Sequence, residues 1–214
     1  ADGKAAQDEN NRLAVEWFRQ TLGVALRQIA DDFGCYRISE AFKTAYKLFW
    51  DDFSGLYLEM VKPAYGQPID APTFEATRTF FDSLMRVLHP FMPFVTEEIW
   101  QDLAPRKEGE SITVAPMPQP AEADGQLLAR FELAREVISS VRNVRNQKNL
   151  PQKEALALHV IADGNYPAEY APVMRKLANL SAIETVAEKD PAAAAFLVKT
   201  TQYFVPMAGK IDAE

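Results

Sequence analysis

The sequence predicts a mainly helical protein: a helical bundle over residues 1–150, followed by a small β-α-β-β subdomain over residues 151–214. Three observations carry this reading. Apolar residues recur at helical spacing through most of the first two thirds of the chain. The pattern changes after Pro151 to short β-branched and aromatic runs such as "ALALHV" and "TTQYFV". Pro- and Gly-rich stretches, above all "KPAYGQPIDAP", fall between the periodic segments.

Residues 11–33 form the first predicted helix, with Leu13, Trp17, Leu22, Ala25, Leu26, Ile29 and Phe33 on its inner face and Gly34 as its stop. The second runs over 39–61, with Ser39 as N-cap and Pro63 beyond its end. It carries two apolar stripes, Phe42–Ala45–Phe49–Leu56–Met60 and Tyr46–Trp50–Phe53–Tyr57, so it is expected to be packed on both sides. Pro72 suits the first turn of a third helix ending near His89, with Phe74, Phe81, Leu84, Val87 and Leu88 inward. A short fourth helix covers 93–103, and a loop with an extended piece at 112–115 follows. The fifth covers 124–149, with Leu127, Phe131, Ala134, Val137, Val141 and Val144 inward. Beyond it, residues 170–180 read as a helix between strands at "ALALHVIA" and "AIETVAE", and "TTQYFVPM" is the last strand.

Composition bounds the function. The charged and apolar shares are those of a soluble globular domain, and no run of apolar residues is long enough to span a bilayer. One cysteine, Cys35, cannot close an internal disulfide, which fits a reducing cytoplasm. A net charge of −7 argues against indiscriminate coating of nucleic acid. Yet residues 127–153 hold six Lys/Arg (Arg130, Arg135, Arg142, Arg145, Lys148, Lys153) against two acids, a local basic excess in an acidic chain.

Catalytic signatures are missing. There is no phosphate-binding glycine loop, no nucleophile elbow, no Cys-x-x-Cys and no His/Glu metal spacing. Glu97 and Glu98 are adjacent, so on a helix they diverge by about 100° and cannot share a proton as one acid/base site. On the fifth helix, Arg135, Arg142 and Asn146 fall within about 20° of one line, flanked by Arg145 and ending at Lys148. Two readings stand: forked guanidiniums for phosphate with an Asn for a base edge, or a solvated face opposite the Val137–Val141–Val144 seam.

"LHPFMPFVTEEIWQDL" resembles the "LHP-x-MPF-x-(T/S)-E-E-(I/L)-(W/Y)" signature of the anticodon-binding bundle of class I aminoacyl-tRNA synthetases. "YKLFWDDFSGLYLEMVKP" resembles that group's "W-x-(D/E)-F-C-x-W-Y-(L/I)-E-x-x-K", with Ser54 in place of cysteine and Leu56 in place of tryptophan. Within the group, "VRNVRNQKNLPQKEALALHV" and "YFVPMAGKIDAE" are similar to valyl-tRNA synthetases, where a C-terminal coiled-coil arm follows. Isoleucyl and leucyl enzymes remain the alternatives within the group, and a helical protein–protein interaction module without RNA is the alternative outside it.

The resemblance covers roughly residues 13–212 and implies an anticodon-recognising fragment without catalytic or editing domain. It would not be an enzyme by itself, would bind no cofactor, and would act on the tRNA(Val) anticodon stem-loop as a monomer. ATP and magnesium belong to the catalytic domain that such a fragment lacks. "VEWFRQTL" aligns with "D-R-(W/F)-I-x-x-x-L", which puts Trp17 on an aromatic position near the anticodon; core packing is the other reading. Val15–Glu16 replace the family's Asp–Arg, so Arg12 or Arg19 would supply the cation there, with Arg37 a further candidate. Arg142 and Arg145 match the family's two arginines. "LHPFMPFVTEEIW" itself is expected to be scaffold, with Pro90 ending one helix, Pro93 starting the next, and Phe91, Met92, Phe94 and Trp100 in the core.

Overall fold

A computed structural model describes residues 6–188 and 191–207. Backbone contacts gather the chain into two compact units, Ala1–Asp124 and Gly125–Glu214.

In the first unit, α1 (Glu9–Gly34) begins at Asp8, whose carboxylate accepts the Asn11 N–H at 2.7 Å and satisfies one of the orphan donors of the first turn. It ends where Tyr36 takes a left-handed backbone (φ 60°) and Arg37 N–H donates to Asp32 C=O at 2.8 Å. α2 (Ile38–Lys47) follows without a side-chain cap: Arg37 occupies the cap position expected for Ser39, because the turn is closed by backbone bonds instead.

α2 runs on into a π-helical segment (Leu48–Tyr57) and a last α turn, α3 (Leu58–Val61). The Leu58 N–H reaches Phe53 C=O, the i→i+5 pattern of a π turn. This wider winding breaks the register on which the two-stripe reading rests. Phe53, Tyr57 and Met60 turn inward, while Phe42, Tyr46 and Trp50 are left on the outer face, Trp50 at 59% exposure.

α4 (Ala71–Leu88) starts at Asp70, which accepts from Thr73 N–H at 2.8 Å, with Pro72 in the first turn where no N–H is needed. Its Phe74 is exposed rather than inward; Phe80, Leu84, Met85, Val87 and Leu88 make the core face. α5 (Pro93–Leu103) matches the expected limits. The 112–115 piece is not extended: Ile112–Val114 form one 3₁₀ turn, closed by the Ser111 hydroxyl accepting from Thr113 N–H. The core centres on Phe18, whose ring lies 5.0 Å from Tyr57, 5.0 Å from Phe80 and 5.3 Å from Phe53.

The Pro–Phe corner is scaffold, though with different residues inside. Trp100 is buried, donating Nε1–H to Asp82 at 2.8 Å beneath the Arg106 guanidinium. The Thr96 hydroxyl donates to Met92 C=O, so it accepts from His89 Nδ1–H at 2.8 Å. Glu97 accepts from the Ser111 hydroxyl at 2.6 Å and Ile112 N–H at 3.2 Å, tying the following loop to α5. Phe94, expected in the core, is 90% exposed, and Met92 is also on the surface.

In the second unit, α6 (Gly125–Gln147) buries Phe131, Ala134, Val137, Val141 and Val144 of the predicted inner face and adds Ile138, while Leu127 is only half-buried. The described residues add a four-stranded sheet in the order β2-β1-β4-β3: β1 (Leu156–Ile161), β2 (Leu180–Thr185), β3 (Ala194–Val198) and β4 (Thr201–Val205). β1 pairs parallel with β2 across α7 (Ala171–Leu177), and antiparallel with β4, which pairs antiparallel with β3. β3 is an addition to the expected strands: its first three residues, Ala194–Phe196, have no β-branched side chain, and pairing with β4 supplies what local propensity does not. The "AGKIDAE" part of the C-terminal resemblance lies outside the described residues.

Candidate nucleic-acid interface

Arg145 is the residue whose environment differs most from a surface arginine. It is 1% exposed, and its guanidinium donates to four backbone carbonyls: Pro151 at 3.1 Å, Glu154 at 2.8 Å, Ala178 at 3.0 Å and Asn179 at 2.9 Å. The last turn of α6, the entry to β1 and the end of α7 thus converge on one cation. Burial lowers its pKa from the usual guanidinium value, with the neighbouring Glu154 acting against that. A group so enclosed cannot grip a phosphate, which corrects the expectation that Arg145 contacts RNA.

α6 ends locally by the same logic. Asn149 adopts a left-handed backbone (φ 52°), and Leu150 N–H closes back on Arg145 C=O at 2.9 Å, so Leu150 turns inward. Arg142, Asn146 and Lys148 stay exposed on the outer side. Arg142 donates to Leu177 C=O at 3.0 Å, which fixes its stem and leaves other N–H groups outward. Arg135, two turns further back, pairs with Glu132 at 3.0 Å in an exposed bridge.

In the helical unit, Trp17 is 4% exposed, its ring edge-on to Phe18 at a centroid distance of 6.0 Å. An indole so enclosed has no open face for a base, so the stacking role expected for it gives way to core packing. Its position follows from α1's register, which sets Trp17 with Ala14, Phe18 and Leu22 on the buried side. Arg12 and Arg19 lie seven residues apart on α1, and both are exposed. Arg37 is half exposed and held by Asp32 at 2.9 Å.

The feature that reading by stripes misses is an outward aromatic row on α2 and the π segment. Phe42, Tyr46 and Trp50 are exposed at intervals of four, and the Tyr46 and Trp50 rings lie nearly parallel (11°) at 6.3 Å. The adjoining cations are internally engaged, Lys43 with Glu40 and Lys47 with Asp52. Only the π winding singles out Trp50, and spacing does not announce that winding. Among the described residues, no cluster of His, Cys, Asp and Glu is placed to hold a metal ion, and no helix is long and apolar enough to cross a membrane.

Comparisons with known proteins agree with this architecture. The family described as the anticodon-binding domain of tRNA ligase matches residues 15–161. The chain is 50% identical, over its whole length, to a valine–tRNA ligase of Parabacteroides distasonis, covering 24% of that protein. It is 50% identical over 98% of its length to the valine–tRNA ligase of Phocaeicola vulgatus, and 33% identical over 94% to that of Halalkalibacterium halodurans, again covering 24% of each. The chain therefore spans about a quarter of the length of these curated relatives. A family match over more than half of the chain, joined to this helical architecture, settles membership: the chain belongs to the anticodon-binding domains of tRNA ligases.

Proposed function

We propose that the chain recognises the anticodon stem-loop of tRNA(Val) as part of a valine–tRNA ligase. The observation that carries this is the family match over 15–161, extended by relatives named valine–tRNA ligase along the whole chain. The exposed groups suit the task. Arg142 and Lys148 present cations for phosphates, and Asn146 between them offers an amide to a base edge. Arg12 and Arg19 form a second exposed pair on α1. In the longer protein, valine would be joined to tRNA with ATP and magnesium in a domain outside this chain, in the cytoplasm, by a monomer.

Fluorescence anisotropy with tRNA(Val) and an anticodon-changed tRNA, at two salt concentrations, tests the proposal. Tighter binding of the cognate tRNA, with both complexes weakened by salt, is the expected result. Equal affinity for the two would refute anticodon recognition. The aromatic row favours a second reading, a protein–protein contact: its rings are exposed while the cations beside it are already paired. Under that reading Trp50→Ala, Tyr46→Ala and Arg142→Ala all leave tRNA affinity unchanged.

A further inference from the structure

The outward row on α2 begins before Phe42. Ile38, the first residue of the helix, is also exposed, so Ile38, Phe42, Tyr46 and Trp50 follow one another at intervals of four. On its other side the helix buries Ala41 and Ala45. The row is not confined to one helix. The Phe42 ring lies 5.0 Å from Phe91, at the corner between α4 and α5, and Phe91 stacks at 6.0 Å on Phe33 near the end of α1. Three separate stretches of chain thus build one apolar surface in the helical unit.

The winding of the chain contributes to that surface. Past Lys47 the helix continues as a π segment, a rare form that appears frequently at functional sites. Phe53 and Tyr57 go into the core, whereas Trp50 stays outside with its ring nearly parallel to that of Tyr46.

Charge and size select the kind of partner. The lysines between the rings are already engaged, Lys43 with Glu40 and Lys47 with Asp52, whereas a stacking platform for nucleic acid keeps cations open to hold the backbone. Phe42, Tyr46 and Trp50, exposed by 37%, 50% and 59%, leave roughly 300 Å² of side-chain surface in water at about 200 Å² per aromatic residue. Ile38 and the half-buried Phe91 add to it. The row falls short of the about 800 Å² that each partner contributes to a stable complex of separate proteins, a second copy of this chain included. It does suit a contact between domains of one polypeptide, which covers about 600–1,500 Å² over both sides. There the tether supplies an effective concentration on the order of millimolar, so a smaller surface suffices. The relatives contain room for such a domain: this chain spans 24% of the valine–tRNA ligases of Parabacteroides distasonis and Phocaeicola vulgatus.

Resting on the proposal that the chain is part of a longer valine–tRNA ligase, we infer that the Ile38–Trp50 row seats another domain of the same polypeptide. The contact is held by burial of rings rather than by ion pairs. It fixes the helical unit against the rest of the ligase before any RNA arrives.

Hydroxyl-radical footprinting read by mass spectrometry tests this on the full-length ligase and on this chain alone, with oxidation normalised to an added reporter peptide. The inference expects Tyr46 and Trp50 to be oxidised several-fold more slowly in the full-length ligase than in the chain alone, with or without tRNA(Val). Equal rates in the two proteins would overturn it, since the row would then be open in both. Slowing that appears only when tRNA is added would assign the row to RNA, and slowing in the chain alone as its concentration rises would assign it to a second copy; either result contradicts the inference. Anticodon recognition is measured separately on the same full-length ligase, with cognate and anticodon-changed tRNA. Shielded rings in a ligase that binds both tRNAs alike leave the seat standing and remove anticodon recognition. Unshielded rings in a ligase that distinguishes them do the reverse.

Discussion

Arg145 sits at a point where three backbone segments turn carbonyls toward one another. Its planar fork meets four of them, a geometry that the three donors of a lysine cannot reproduce. Arg145→Met should cost about 3 kcal/mol of unfolding free energy, because the carbonyls lose a charged donor in a dry site. Arg145→Lys should recover little of it; urea denaturation followed by circular dichroism measures both. Trp17→Ala should cost about 3–5 kcal/mol as a core truncation. Trp50→Ala, on the exposed row, should stay within about 0.5 kcal/mol. These residues mark a limit of reading sequence. Periodicity puts Trp17 on the inner face of α1, whereas the family resemblance assigns it a place beside the anticodon, and burial decides for the first. For Arg145 no local signal exists, since its partners come from residues 151–179 and only tertiary folding brings them within reach.

Helix termini are legible because their chemistry is local. Pro72 and Pro93 in first turns and the stop before Pro63 all follow from the backbone rules of proline. The π segment is not legible from apolar spacing; its one local trace is Gly55, where a Cβ would lie 3.2 Å from the Trp50 carbonyl oxygen. The caps also set the response to pH. Asp70 lies below its ordinary pKa of 3.8: burial pushes it up, but hydrogen bonds from Asn11 and Thr73 outweigh that. Glu97 is lowered by Ser111 and Gln101, and Glu169 by Arg130. A carboxylate held low when folded contributes stability above its unfolded pKa and loses it as pH falls through the folded one. Stability should therefore be level near neutrality and drop as pH goes below the ordinary carboxylate values of 3.8 and 4.5. Asp70→Asn should flatten part of that drop, and Asp70→Ala should cost about 1–2 kcal/mol at neutral pH through loss of the α4 cap. Denaturation midpoints across pH check both.

At the scale of the whole molecule, the helix-then-sheet order and the family are readable from spaced motifs, since each motif encodes a corner that the fold cannot make otherwise. The proposed RNA-facing surface is half readable. Arg135, Arg142 and Asn146 fall near one line of α6, which spacing reveals, whereas the bond from Arg142 to Leu177 C=O comes only from the tertiary fold. Charge placement, rather than net charge, is what reconciles an acidic chain with a polyanionic partner. The central claim is that an anticodon is read by this chain. Ultraviolet cross-linking of the chain to tRNA(Val), with the linked nucleotides mapped, tests it most directly. The account predicts cross-links concentrated in the anticodon loop and its stem, with peptides from α1 and α6 attached. Cross-links scattered evenly over the tRNA, or confined to the acceptor stem, would contradict it.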